Sequence, residues 1–447
     1  MGYRRLGSVA PIIGTALVAA TAGIALAAPG DGAPAAARAA GPGWRTVTYA
    51  GVQLQVPAAW PVVNLARQPA ACPRLDVHAV YLGAPGPRSA CPAGLRGRTE
   101  AVLVEPADPQ SPDVREATTP VTIAGRAART NSDSASTHAI TDVLPAAGVE
   151  VSLSYGANLA LARAISATIR LGRSARPQPM TQAGPVPPGR PQGYYRGLGF
   201  DTCAAPSGST MNRWLASRYR AVGIYIGGIN RSCAQANLTA GWLAGIQSAG
   251  WHYFPLYVGP QAACMLGNYG NATINRQRAA AEGAAAAADA ATQARNLGIP
   301  PGTPLIYDME AYGDCARPVL RFLSAWDSGL HAQNYRSGVY ESFTNIAAMV
   351  SAAGTITEPD VIHYADWDGH PIAWSRYMPA MWLRHQRIHQ YQGGHNETWR
   401  RVTLNIDEDQ LNVSLGTARS SMIPAATPAG GPPGRLPQPG RLPQPGG

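Results

Sequence analysis

The chain contains no lysine, so arginine alone carries its positive charge: 36 basic residues against 26 acidic ones, a formal net charge of +10. Arginine used to the exclusion of lysine is what GC-rich coding produces. The arginines are scattered, as at Arg163, Arg220, Arg276 and Arg336, and no basic run exceeds two residues. That excludes the basic stripe of a nucleic-acid binder, and no nucleic-acid motif is present. No C-x-x-C occurs and no cysteine alternates with histidine at zinc spacing, so no metal site is expected. A Gly-x-Ser-x-Gly elbow and a phosphate-binding loop are also missing, and no cofactor is implied. Beyond the N-terminus no segment is apolar for long enough to span a bilayer.

The N-terminus itself is informative. Arg4 and Arg5 precede an apolar stretch, 9–26, that ends in Ala25-Leu26-Ala27-Ala28, a small-x-small pattern suited to signal peptidase. The stretch is rich in Gly, Ala and Thr and gives way to Pro29, Gly30 and Asp31, which favours cleavage over a permanent span. The paired arginines hint at twin-arginine export without its full consensus. We therefore expect an exported protein, secreted or held in the cell envelope, with no stable membrane span after cleavage. Six cysteines, Cys72, Cys91, Cys203, Cys233, Cys264 and Cys315, suit an oxidising compartment. They allow many connectivities; the preferred pairs are Cys72–Cys91, Cys203–Cys233 and Cys264–Cys315.

Composition divides the 447 residues into segments. A signal peptide, 1–28, and a small-residue spacer, 29–43, come first. A module over 44–171 follows, with strands expected around 47–54, 101–105 and 149–155. In it Asn158 can cap a helix that sets Leu159, Ala162, Ile165 and Ile169 on one face. This module reads as α+β, and its His78, His138 and Asp76 are isolated rather than clustered. A proline-rich linker, 172–193, cannot pack as helix or sheet. The tail, 421–447, repeats Gly-Arg-Leu-Pro-Gln-Pro-Gly and is expected to be disordered.

Between linker and tail, 194–420 has the length of one β/α barrel. Strand-like runs fall at 198–202, 222–227, 252–258, 304–310, 338–342, 361–367, 387–391 and 404–409. An alanine-dense helix over 276–297 stops at Gly298, ahead of Pro300 and Pro301. Alternating strands and helices point to an α/β fold, a (β/α)8 TIM-type barrel behind a small α+β domain. In such a barrel the carboxyl ends of the strands carry the site. Asp201, Tyr257, Asp308 with Glu310, Tyr340, Asp366 with Trp367, Gln390 with Tyr391, and Asp407 all sit at such ends.

Asp308 and Glu310 are the sharpest pair, because residues two apart on a strand share a face. Neighbouring carboxylates push their pKa values apart, leaving one able to hold a proton near neutrality. A proton donor beside an ionised partner is what glycosidic cleavage requires. Glu310, with the longer arm, is the expected general acid. Asp308 would tune it or orient the substrate, and Asp201 would serve as base or electrostatic stabiliser. Tyr257, Tyr340, Trp367 and Tyr391 are candidates to stack on sugar rings, with Asp366, Gln390 and Asp407 beside them. His363 and His389 read as core or rim residues.

These segments resemble a known family. Gly199-Phe200-Asp201, Gly223-Ile224-Tyr225-Ile226-Gly227-Gly228, Pro304-Leu305-Ile306-Tyr307-Asp308-Met309-Glu310 and Ile388-His389-Gln390-Tyr391 resemble the glycoside-hydrolase-like "domain of unknown function 1906" family of exported actinobacterial proteins. More distantly they are similar to the family 25 glycoside hydrolases, lysozymes that cleave peptidoglycan. The likeness runs from about 197 to 413. It implies a β/α barrel whose acids are Asp201, Asp308 and Glu310, with Asp407 where the lysozymes carry an acid on the last strand. His363-Tyr364-Ala365-Asp366-Trp367 departs from the lysozymes' aromatic sixth-strand motif. The implied function is hydrolysis of peptidoglycan or a related envelope glycan. Fold likeness alone does not establish catalysis, so a silent glycan-binding module and an envelope scaffold are the alternatives.

Overall fold

The computed structural model describes residues 43–86, 91–131, 138–172, 186, 189–190, 192–265, 272–378 and 380–416. The expected signal peptide, most of the spacer and linker, and the tail lie outside the described residues.

The first part of the chain builds two sheets. Strands β1 (Trp44–Tyr49) and β2 (Val52–Pro57) form a hairpin that β10 (Arg170–Leu171) extends. Its two-residue turn places Ala50 and Gly51 at φ 46° and 82°, the left-handed pair that matches strand twist. A seven-stranded sheet runs in the order β3 (Val62–Asn64), β4 (Val80–Leu82), β5 (Ala101–Pro106), β9 (Val149–Ser154), β8 (Ala139–Leu144), β7 (Arg126–Thr130), β6 (Thr119–Ile123). Helix α1 (Pro112–Glu116) follows β5. Helix α2 (Leu159–Ser166) starts at Asn158, whose side chain accepts from the Leu161 N–H at 3.0 Å, and it buries Ala162 and Ile165.

The rest of the chain is mixed α/β and closes into an eight-stranded barrel. Its elements are β11 (Tyr194–Asp201), α3 (Gly208–Trp214), β12 (Ala221–Gly227), α4 (Ala240–Ser248), β13 (His252–Tyr257), α5 (Ala279–Asn296), β14 (Pro304–Asp308), α6 (Ala316–His331), β15 (Arg336–Ser342), α7 (Phe343–Ser351), β16 (Val361–Ala365), β17 (Gln386–Trp399) and β18 (Val402–Ser414). All eight expected strand positions are occupied. The regular (β/α)8 pattern, however, is not what forms. Helices follow only the first five strands, and among the described residues none joins β16 to β17 or β17 to β18. Strand β18 runs antiparallel to both β17 and β11, so a ribbon, not a crossover, closes the barrel. Apolar patterning reports burial, not strand direction, which is why the reversal was not foreseen.

Side chains alternate between the barrel interior and a layer under the helices. The outer layer is aromatic: Phe200, Trp214, Tyr219 and Trp251 pack together, as do Tyr257, Tyr307, Phe322 and Trp326. The interior is narrow. A Cβ on Gly223 would lie 2.5 Å from the Asp201 Cβ and 2.7 Å from the Phe254 ring, so only glycine lets Asp201 stand inside. The three expected disulfides, Cys72–Cys91, Cys203–Cys233 and Cys264–Cys315, are all present. No described helix is long and apolar enough to cross a membrane.

Candidate active site

A cavity of about 250 Å3 opens at the carboxyl ends of the parallel strands. It is lined from the barrel by Asp201 (β11), Tyr225 (β12), Leu256 (β13), Asp308 and Glu310 (β14 and just beyond), Tyr340 (β15), His363 (β16), Trp367, Gln390 and Gly394 (β17) and Asp407 (β18). The two-residue alternation explains the set. Leu256 faces inward, so Tyr257 faces out, where its hydroxyl bonds Asp289 Oδ2 of α5 at 2.7 Å. Gln390 faces inward, so Tyr391 faces out to Glu408. Asp366 lies beside a separate cavity of about 360 Å3, lined also by Asp368, Trp374 and His389. Of the expected site residues, then, Asp201, Asp308, Glu310, Tyr340, Trp367, Gln390 and Asp407 converge, and Tyr257, Asp366 and Tyr391 do not.

Gln390 organises one side. Its amide oxygen accepts from the Tyr340 hydroxyl and the Trp367 indole, both at 3.0 Å, and its Nε2 donates to Asp201 Oδ2 at 3.0 Å. The Tyr225 hydroxyl donates to the other Asp201 oxygen at 3.2 Å. Opposite, Gln261 ties down the chain leaving β14: it donates to the Asp308 carbonyl at 2.7 Å and accepts from the Glu310 N–H at 3.1 Å. The Asn345 amide donates to the Glu310 carbonyl at 3.2 Å. The chain of the acid pair is therefore held by side chains that follow β13 and β15 rather than by the strand ladder alone.

The electrostatics are those of acids crowded in a dry space. Burial first, and then Glu310, push Asp308 well above the usual carboxylate range, against the pull of Arg96. Its Oδ1 is buried without a hydrogen-bond partner. Burial and the neighbouring Asp409 raise Asp201 to about 7; burial, Asp201 and Asp409 raise Asp407 to about 9. Beneath them His363 Nε2 meets Asp409 Oδ1 at 2.9 Å. Burial lowers His363 to about 4 and raises Asp409 well above the usual carboxylate range, which favours the uncharged form on both sides of this contact.

The first part of the chain supplies the residue that sequence reasoning missed. Arg96, with Ala93 and Gly94, lines the cavity, and its Nη1 pairs with Glu310 Oε1 at 2.6 Å. The Arg96 and Glu310 side chains are 29% and 17% exposed, so the pair is only partly shielded from water. The module read as lacking any catalytic cluster thus reaches the acid pair itself. The only local signal was an arginine held between Gly94 and Gly97 just after Cys91; the partner lay far away in sequence. Tyr225 and His363 were also absent from the expected set, although both occupy inward positions of their strands.

Among the described residues three donor groupings have metal-like spacing. Cys72, Cys91 and Cys233 are in disulfides. Asp201, His363 and Asp409 bond one another and their neighbours. In the third, Glu408 is held by Arg218 at 2.8 Å and His395 at 3.2 Å, and Glu397 by the Tyr219 hydroxyl at 2.6 Å.

Residues 212–411 match the family described as Rv2525c-like, glycoside hydrolase-like domain, a match over rather less than half of the chain. No curated protein matches. Among solved structures, an uncharacterized B. stearothermophilus protein is 21% identical, covering 48% of this chain and 95% of its own, with a TM-score of 0.35. A muramidase from Acremonium alcalophilum is 14% identical, with coverage of 50% and 95% and a TM-score of 0.30. The modular autolysin LytC from Streptococcus pneumoniae is 10% identical over 48% of this chain, with a TM-score of 0.32; the present chain spans 46% of its length.

Proposed function

We propose that the barrel, a variant of the (β/α)8 plan, hydrolyses glycosidic bonds in peptidoglycan or a related envelope glycan. The observation that carries this reading is the adjacent Asp308 and Glu310 lining the cavity, with Asp308 pushed well above the usual carboxylate range by burial and by Glu310. The match of 212–411 to a glycoside hydrolase-like family supports it. Three disulfides and the N-terminal apolar stretch support export.

In the proposed mechanism the pair holds one shared proton, stored on Asp308 and delivered through the more accessible Glu310 to the leaving oxygen as the C–O bond breaks. Asp201 accepts from Gln390 Nε2 and from the Tyr225 hydroxyl, which favour its ionised form, so it is the member available to take a proton from water as the anomeric carbon is attacked. Arg96 must release Glu310 for this to happen. The same ion pair favours a second reading, a silent glycan-binding module in which Glu310 stays engaged.

Mass spectrometry of soluble fragments from peptidoglycan incubated with wild type, Glu310→Gln and Arg96→Ala decides between them. Reducing-end saccharides from wild type, absent with Glu310→Gln, are expected. Binding of the polymer without fragments from any of the three proteins would sink the enzyme reading and leave the binding one.

A further inference from the structure

The segment that carries Arg96 is fastened across the barrel mouth at both ends. On one side it is stitched to the loop after β12. Arg74 bridges to Cys233 and Arg96 to Arg231. Leu75 N–H donates to the Ser232 carbonyl at 2.7 Å, Gly97 N–H to the Asn230 carbonyl at 2.9 Å, and Ser232 Oγ to the Gly97 carbonyl at 3.0 Å. On the other side the Ala93 N–H donates to Asn405 Oδ1 of β18 at 2.7 Å. The Cys72–Cys91 disulfide closes the segment just before Ala93. Because β11 lies between β12 and β18 in the barrel, main chain roofs this arc of the mouth. From there the Arg96 side chain extends to Glu310, beyond β14.

Among the described residues no main chain is stitched across the arc beyond β16 in this way. Trp367 stands there, 66% exposed, with its indole N–H fixed on Gln390. At about 250 Å3 the cavity falls below the roughly 300–1,000 Å3 of ordinary ligand pockets. A space of that size is small for a long run of sugar rings.

A glycan that continues in both directions needs a cleft open at both ends, and here one end is a wall of hydrogen-bonded backbone. We infer that the site takes the end of a glycan chain: the terminal ring sits against Ala93, Gly94 and Arg96, and the chain leaves past Trp367. Arg96 then does more than pair with Glu310, because its fork of N–H donors is the polar face that the terminal ring meets. The inference rests on the glycan reading above and adds the mode in which the chain is held.

Calorimetric titration of the intact protein tests it. The probes are the disaccharide and the octasaccharide of alternating N-acetylglucosamine and N-acetylmuramic acid, the latter also with its reducing end reduced or its non-reducing end capped. End recognition predicts dissociation constants for disaccharide and octasaccharide within about threefold, and a loss of about tenfold or more on modifying one end but not the other. Affinity that climbs with length and ignores both modifications would overturn the inference while leaving the glycan reading intact. If no saccharide binds at any length, the glycan reading falls and this inference falls with it.

Discussion

Glu105 and Glu150 face each other directly across β5 and β9, with exposures of 7% and 3%. Two carboxyl groups so placed repel if both ionise. Burial, and then Asp113, raise Glu105 from an ordinary 4.5 to about 8, even though Glu150 donates a hydrogen bond to it. Below pH 4.5 the folded and unfolded chains both hold this proton, and the group has no effect on stability. As the pH rises the unfolded carboxyl ionises first, so stability falls by about 1.4 kcal/mol per unit until the folded group also titrates. From 4.5 to pH 7 that is about 3 kcal/mol. Glu105→Gln keeps an acceptor for the Glu150 hydroxyl and cannot ionise. We expect wild type and variant to melt together at pH 4.5, and the variant to melt higher at pH 7 by roughly 5 °C. Circular dichroism melts at both pH values measure the gap. A gap of equal size at the two pH values would refute the assignment, because only a titrating group makes the difference depend on pH.

Other changes have equally definite outcomes. Arg400 and Arg401 form the β17–β18 turn at φ 47° and 64°, so Arg400→Asn with Arg401→Gly should relieve about 1–2 kcal/mol of strain per residue; a melting temperature that does not rise contradicts this. Trp367→Ala should weaken saccharide binding by about tenfold or less, as befits a partly exposed stacking contact. Tyr257→Phe, facing α5, should leave binding unchanged, and calorimetry on the two variants separates cavity lining from outer layer. Replacing Cys72 and Cys91 together by serine opens a loop with a separation of 19 residues, and the expected loss is about 3 kcal/mol, read from denaturant unfolding.

The barrel was legible because its strands are short buried runs separated by punctuation such as Gly298, Pro300 and Pro301, which is a local signal. The acid pair was singled out by the two-residue period, although only Asp308 lies on β14 and Glu310 is held just beyond it by Gln261 and Asn345. Tyr257, Asp366 and Tyr391 were misplaced where position at a strand end was weighed without the alternation that turns each second residue outward. The helix-free closure by β18 left no mark on composition. Arg96 was illegible for a different reason, since its role exists only once the first module and the barrel mouth are packed together.

The antiparallel β17–β18 ribbon has a mechanical consequence. Where a regular barrel would carry separate loops, this wall is a twisted ladder, and Asn405 on it also holds the Ala93 end of the roof. A wall of that kind has little freedom to surrender when a ligand arrives, so little ordering entropy opposes binding. On the proposed mechanism the Arg96 side chain moves against this fixed wall when it releases Glu310. Residence time, rather than the speed of closure, should distinguish a good ligand from a poor one.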